Sequence, residues 1–178
     1  MPLPDPADTK PPPRLQHGEV SAWIGLGANL GARHRTLEQA IDALRQVPRS
    51  RLTARSRLWR SAPVDAVGPD FLNAVARLET RLTSIELLER MQAIETRFGR
   101  ERPYPNAPRT LDLDLLLFGR QRCDTAVLQL PHPRMHQRAF VLAPLLELAP
   151  EIEIPPYGRA RALLHALQHQ SCTAVSPS

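Results

Sequence analysis

Three hydrophobic rhythms run along this chain, and they divide it into elements before any single residue is weighed. "VSAWIGLGA", residues 20 to 28, is a nearly continuous apolar run of small and branched residues, which predicts a buried strand. "TLEQAIDALRQV" has a period near 3.6 instead: Leu37, Ala40, Ile41, Leu44 and Val47 fall on one face of an amphipathic helix. "RLTARSRLW" alternates, with Leu52, Ala54, Ser56 and Leu58 opposite Arg51, Thr53, Arg55 and Arg57, as a half-exposed strand does, and "FLNAVARLET" is its expected partner. A second helix carries its own punctuation. Thr83 and Glu86 have capping-box spacing, Ile85, Leu88, Met91, Gln92 and Glu95 run along neighbouring faces, and Gly99 supplies the stop.

"RERPYPNAPR" has too much proline and charge for regular structure and reads as a loop. It leads into a further strand at "TLDLDLLLFG", a turn, the segment "LQLPHPRMHQR", a short helix near "FVLAPLLELAP" and a last helix at "RARALLHALQ". Strands and helices intermix and some neighbouring strands are antiparallel, so the pattern predicts an α+β fold with a sheet covered by helices. The ends differ. The proline-rich residues 1–19 and the polar residues 170–178 are expected to be disordered, flanking one folded domain over 20–169.

Composition narrows the function. With 178 residues and 42% hydrophobic content the chain suits a single domain with a sizeable core. Two cysteines are too few for a disulfide framework or a zinc site, no apolar stretch is long enough to span a bilayer, and the N-terminus lacks the apolar core of a signal peptide. A cytoplasmic protein is expected. The net charge is +5 and Lys10 is the sole lysine, so the positive charge is almost all arginine, whose planar fork suits phosphate oxygens. Codon bias would give the same composition, so position has to decide which arginines matter.

Position points to residues 108–119, "PRTLDLDLLLFG". In an extended strand Thr110, Asp112 and Asp114 share one face while Leu111, Leu113 and Leu115 share the other. The aspartate Cα atoms then lie roughly 6 to 7 Å apart. Side chains leaning together could bracket two metal ions about 3.5 to 4 Å apart, the spacing used in phosphoryl transfer, and hard carboxylate oxygens suit magnesium. A solvated strand face is the ordinary explanation of such a pair. Here the run continues as "LLLF", which reads as central sheet, where carboxylates without a cation would be costly. Arg97, Arg100, Arg102 and Arg109 fall between the capped helix and this strand, as a solvated basic loop or as a lid that neutralises a polyphosphate.

Three other functions fit less well. Gly25, Gly27 and Gly31 could mark a dinucleotide turn, but the spacing is loose and no acidic residue stands where a ribose needs one. A small basic RNA-binding domain would show clustered strand aromatics, and aromatics total only 4%. A DxD glycosyltransferase also holds a nucleotide diphosphate through a metal, and the nucleotide product it releases would distinguish it.

Taken together, "GRERPYPNAPRTLDLDLLLFG", "IGLGANLG", "DFLNAV" and "LPHPRMHQRAFVLAPL", in that family's order over roughly residues 21 to 168, resemble the 6-hydroxymethyl-7,8-dihydropterin pyrophosphokinases. The resemblance implies a ferredoxin-like three-layer α-β-α sandwich, acting as a monomer, that moves a diphosphate from ATP to a pterin alcohol. It implies Asp112 and Asp114 as ligands of two magnesium ions on ATP, Arg100 and Arg109 as the arginines of transfer, and Arg102 as a further ATP contact. Gln92, Leu115, Gln129, His132 and Arg138 fall at nucleotide positions, and Glu95 at an acidic position near the site. Phe71 and Phe140 match the aromatics that sandwich the pterin, and Asn73 the residue that reads its edge, with backbone groups around Ser61, Ala62 and Val64 completing the pocket. Without the resemblance His132 would pass for a loop histidine and the two phenylalanines for core. No nucleic acid or membrane partner is implied.

The chain also departs from the family. Asn106 stands where a loop tryptophan is common, in a loop one residue shorter, with Tyr104 close enough to replace its packing. Val127 and Gln129 replace an arginine and a threonine of a representative member, and Pro133 replaces an aromatic.

Overall fold

The computed structural model describes residues 18–64, 67–99 and 110–176. Strand β1 (Val20–Ala28) leads to α1 (Arg33–Arg45), then to β2 (Ser50–Arg55), β3 (Trp59–Ser61) and β4 (Phe71–Thr80). Helix α2 (Ser84–Arg97) precedes β5 (Asp112–Phe118) and the small hairpin β6 (Cys123–Asp124) and β7 (Gln129–Leu130). After a single 3-10 turn, Met135–Gln137, come α3 (Ala139–Leu148), a second hairpin of β8 (Glu153–Ile154) and β9 (Gly158–Arg159), α4 (Ala160–His165) and β10 (Cys172–Ala174). The main sheet runs β10-β3-β4-β1-β5 with β2 also beside β4, and its paired strands are antiparallel.

Alternation along the strands sends side chains into two apolar cores, one on each face. Ile24, Leu26, Ala76, Leu78, Leu113 and Leu115 pack with Leu37, Ile41 and Leu44 of α1 and Leu87, Met91 and Ile94 of α2. Trp23, Val75, Leu116 and Leu117 pack with Val141, Leu142 and Leu145 of α3 and Ala160 of α4. Two successive leucines can enter the second core because the β1–β5 register shifts between Trp23 and Ile24, a bulge that turns both Leu116 and Leu117 to that side.

The capping box forms as the spacing predicts. Thr83 Oγ1 accepts from the Glu86 N–H at 3.2 Å and the Glu86 carboxylate accepts from the Thr83 N–H at 2.7 Å. Gly99 closes the helix end in the left-handed region at φ 71°. The single strand expected over "RLTARSRLW" is instead two. Its register slips between Leu52 and Ala54, and the Ser56 hydroxyl accepts the Val75 N–H at 2.9 Å, which interrupts the ladder before β3 resumes it.

The C-terminal tail departs from the disorder expected of residues 170–178. Cys172–Ala174 adds β10 to the edge of the sheet beside β3, and the Val175 N–H donates to the Leu58 carbonyl at 2.8 Å. Gln170 fastens the approach: its Oε1 accepts from the Ala139 N–H and its Nε2 donates to the Gln137 carbonyl. Composition underrates such a segment because backbone pairing is blind to side-chain polarity. Residues 1–17 lie outside the described residues, and Glu19, the second residue described, pairs with Arg51 at 2.9 Å.

Candidate active site

Two glycines make the floor. In the register of the sheet Gly27 lies opposite Asn73 of β4 on one side and Asp112 of β5 on the other, while Gly25 lies between Val75 and Asp114. Alternate residues share a face, so Gly25, Gly27, Asn73, Asp112 and Asp114 all look to the side of Trp23, Val75 and Leu116. A Cβ on Gly27 would sit 3.5 Å from Asn73 Oδ1 and 3.8 Å from a Phe71 ring carbon. Lacking one, β1 leaves a trough two strand spacings wide, roughly 9 to 10 Å, with carboxylates on one bank and an amide and an aromatic ring on the other.

That geometry gives a first expected outcome. Gly27→Ala meets only ordinary van der Waals contacts and needs no positive φ, so the fold should tolerate it. The added methyl stands where a flat ligand would lie, and overpacking of about 1 to 3 kcal/mol translates into roughly a ten- to hundredfold weaker hold on that ligand. Melting temperature and equilibrium binding check the two halves.

Asp112 and Asp114 are half-buried, and Asp114 is flanked by cations or potential cations. Arg138 Nη1 lies 3.7 Å from its Oδ2, and His132 Nε2 lies 3.8 Å from its Oδ1. The same Arg138 guanidinium sits 5.6 Å over the Phe140 ring at the start of α3, so one side chain ties the acidic bank to the aromatic. His132 is placed from both ends. Its N–H donates to the Leu116 carbonyl at 2.8 Å, and its Nδ1 accepts from the Arg134 N–H at 3.1 Å, so in the neutral ring the proton belongs on Nε2, facing Asp114.

Burial, with Arg138 beside it, pushes His132 down to about 4. The unfolded ring accepts a proton near 6.5 that the folded, metal-free protein refuses until about 4. Stability from this residue is therefore full above the unfolded value and declines as pH falls through that window. Between about pH 7 and pH 5 the melting temperature of the wild-type chain should fall more steeply than that of His132→Asn.

Beyond the edge of β5 opens a cleft of about 370 Å³ lined by Leu88, Leu113, Asp114, Leu115, residues 125–129 of the β6–β7 hairpin, His132 and Pro133. The turn is held by Thr125, whose hydroxyl donates to the Leu128 carbonyl and accepts the Leu128 N–H. Of the residues expected at the nucleotide, Leu115, Gln129 and His132 line this cleft, Arg138 meets it through Asp114, and Gln92 is exposed on α2 one turn beyond Leu88. Gln129 Nε2 is engaged with Asp124 at 2.8 Å, and Val127 stands exposed at the mouth.

Phe71 on the other bank and Phe140 at the start of α3 are half-buried, Ser61 and Asn73 are buried, and Ala62 and Val64 are exposed in the loop after β3. Arg100, Arg102, Tyr104, Asn106 and Arg109 lie outside the described residues. Glu95 has a part that sequence alone did not suggest. Its carboxylate, 1% exposed, accepts the Leu113 N–H at 2.8 Å, fastening the outer edge of β5 between the two aspartates. Nor did the sequence reading give Gly25 and Gly27 this use, although glycines at i and i+2 of a predicted strand already mark one bare face.

The donor set bears on a metal. Among the described residues no group of three or more histidine, cysteine or acidic side chains gathers as a metal cage. Two carboxylates on one face, open to a cleft, instead fit magnesium, which keeps several waters and takes its remaining ligands from substrate phosphates. The described helices include none long and apolar enough to cross a membrane.

Sequence comparison agrees with this geometry. The profile of the 7,8-dihydro-6-hydroxymethylpterin-pyrophosphokinase family matches residues 23–150. A 2-amino-4-hydroxy-6-hydroxymethyldihydropteridine pyrophosphokinase of Pseudomonas aeruginosa is 46% identical over 145 residues, 81% of this chain and 90% of the relative. Enzymes of the same name from a Synechocystis species and from Bacillus subtilis are 38% and 43% identical, covering 93% and 74% of this chain and 82% and 80% of their own lengths. Among solved structures, an HPPK-DHPS in complex with substrates superimposes with a TM-score of 0.64 at 12% identity, over 83% of this chain and 43% of that longer one. The wild-type HPPK-DHPS of Plasmodium falciparum, with pterin and p-hydroxybenzoate, gives a TM-score of 0.64 at 13% identity, over 83% and 43% of the two chains. At such identity these two structures speak for the fold.

Proposed function

The chain belongs to the 7,8-dihydro-6-hydroxymethylpterin-pyrophosphokinase family, and from that premise we propose that it transfers the terminal diphosphate of ATP to 6-hydroxymethyl-7,8-dihydropterin, releasing AMP, in folate biosynthesis. The observation that carries the reading is the glycine-floored trough, which sets Asp112 and Asp114 across from Asn73 and Phe71. A polyanion on one bank and a flat heterocycle on the other is the pairing this reaction needs.

The pterin enters between Phe71 and Phe140 and is read along its edge by Asn73 and the backbone near Ser61, Ala62 and Val64. Stacking of this kind is worth about 0.5 to 1.5 kcal/mol beyond the area it buries. ATP occupies the cleft beyond β5, with Leu115 and Gln129 beside it, Gln92 and Arg102 as further contacts, and His132 and Arg138 at its phosphates. Asp112 and Asp114 are the residues that would hold two magnesium ions, whose chemistry is to screen the phosphate charge and orient the chain for displacement. The hydroxymethyl oxygen attacks the β-phosphorus in line, the O–Pβ bond forms as the bond from Pβ to the AMP oxygen breaks, the hydroxyl proton passes to water, and Arg100 and Arg109 meet the charge on the transferred group. His132, with its Nδ1 held by the Arg134 N–H, contributes orientation and a donor at Nε2.

The same proposal includes a ferredoxin-like three-layer arrangement, supported by an apolar core on each face of the antiparallel sheet. It also includes a monomer in the cytoplasm, Glu95 as a fastener of β5 and Tyr104 as the loop's packing residue. Incubation with ATP, magnesium and the reduced pterin tests it. AMP should accumulate in step with pterin consumed; ADP as the nucleotide product would contradict it.

A further inference from the structure

Asn73 is a side-chain amide, and an amide can present either its oxygen or its NH2 to a ligand. Which end faces the trough decides what the site reads. Asn73 Nδ2 lies 2.9 Å from Ser61 Oγ and 3.3 Å from the Trp59 carbonyl oxygen. The carbonyl settles the orientation, because it only accepts, so the amide's nitrogen must be the end that faces β3. Oδ1 is thereby turned to the trough, where it would stand 3.5 Å from a Cβ on Gly27. Among the described residues nothing donates to it.

Ser61 has a second use for its place in the strand. It pairs with Phe71 in the β3–β4 ladder and its side chain is buried, so its hydroxyl cannot drift to solvent. Trp59 is equally fixed, its indole N–H donating to Glu147 of α3 at 3.0 Å. Of the two bonds on Asn73 Nδ2, the one to Ser61 is the shorter, and it is the one a substitution can remove without disturbing the ladder.

We propose that Ser61 acts through its hydroxyl as a positioning residue, locking the Asn73 amide with Oδ1 toward the trough so that the site presents a fixed acceptor to an amino or ring N–H donor of the ligand. The inference rests on the pterin reading above, since the pyrimidine edge of a pterin carries such donors. The role differs from supplying a backbone contact, which any residue at this position would do.

The test compares Ser61→Ala with Ser61→Thr, which keeps the hydroxyl, and with the wild-type chain. Equilibrium binding of the reduced pterin and of ATP with magnesium is measured for each, and the Asn73 side-chain NH2 signals are followed by NMR. Loss of the hydroxyl should weaken pterin binding roughly tenfold, leave ATP binding within about twofold, and make the Asn73 NH2 protons exchange faster, with threonine restoring all three. Should Ser61→Ala fail to fold, Ser61→Cys, a near-isosteric weak acceptor, carries the same comparison. Unchanged pterin affinity and unchanged Asn73 signals in a folded Ser61→Ala would overturn the positioning role and leave the pterin reading standing. Equal loss of pterin and ATP affinity would overturn it too, by marking a general structural defect. A wild-type chain that neither makes AMP from ATP and the reduced pterin nor binds the pterin overturns both.

Discussion

Asp114→Asn and Asp112→Asn should each lower transfer by about a thousandfold or more, while the protein stays folded. Each substitution removes one hard anionic ligand from a pair that has no third carboxylate to replace it among the described residues. Loss of several kcal/mol of charge stabilisation in the transition state corresponds to roughly three powers of ten in rate. The fold should survive because both side chains are only half-buried at the trough, and neutralising one relieves like-charge repulsion in the metal-free protein. Pterin binding should persist, since Asn73 and Phe71 stand on the far bank of the glycine floor. Normal turnover of either variant at limiting magnesium would remove the two aspartates from the metal assignment.

Arg100→Ala should lower kcat by roughly 10² to 10³, the scale of losing one donor that meets charge appearing only during transfer. Arg100 itself lies outside the described residues, but the residue before it is Gly99, whose left-handed φ of 71° ends α2, the helix that also carries Glu95 to β5. Affinity for ATP and pterin should change far less than the rate. If this arginine supplies only positive potential, the loss would appear in nucleotide binding and shrink with added salt. Single-turnover transfer beside equilibrium binding, at low and moderate ionic strength, separates the two. An unchanged chemical step with weakened ATP binding would leave Arg109 as the principal arginine of transfer.

What could be read in advance followed the range of the forces involved. Local chemistry was legible: the Thr83–Glu86 capping box, the Gly99 stop and the apolar stripe of α1 form as their spacing predicts. So was the common face of Asp112 and Asp114, since strand alternation is a property of a few residues. The pairing of β2 and β3 with β4 was anticipated, but the pairing of β1 with β4 and β5 was not legible. That Gly27 stands between Asp112 and Asn73 depends on two registers joining residues 46 and 85 positions apart, and no local pattern encodes them. The same limit hid the buried bond from Glu95 to the Leu113 N–H and the Ser61 contact that orients Asn73. It also concealed β10, because the tail is held by ladder bonds to β3 and by Gln170 rather than by apolar side chains.

The site's central claim is that the acidic bank presents the β-phosphorus of ATP to the alcohol on the other bank. ATP labelled at the β-phosphorus, incubated with magnesium and the reduced pterin, tests it most directly. The label should leave the nucleotide and appear in the pterin product in a diphosphate ester, with unlabelled AMP formed in equal amount. Label retained in ADP, with only the γ-phosphate moved to the pterin, would contradict it.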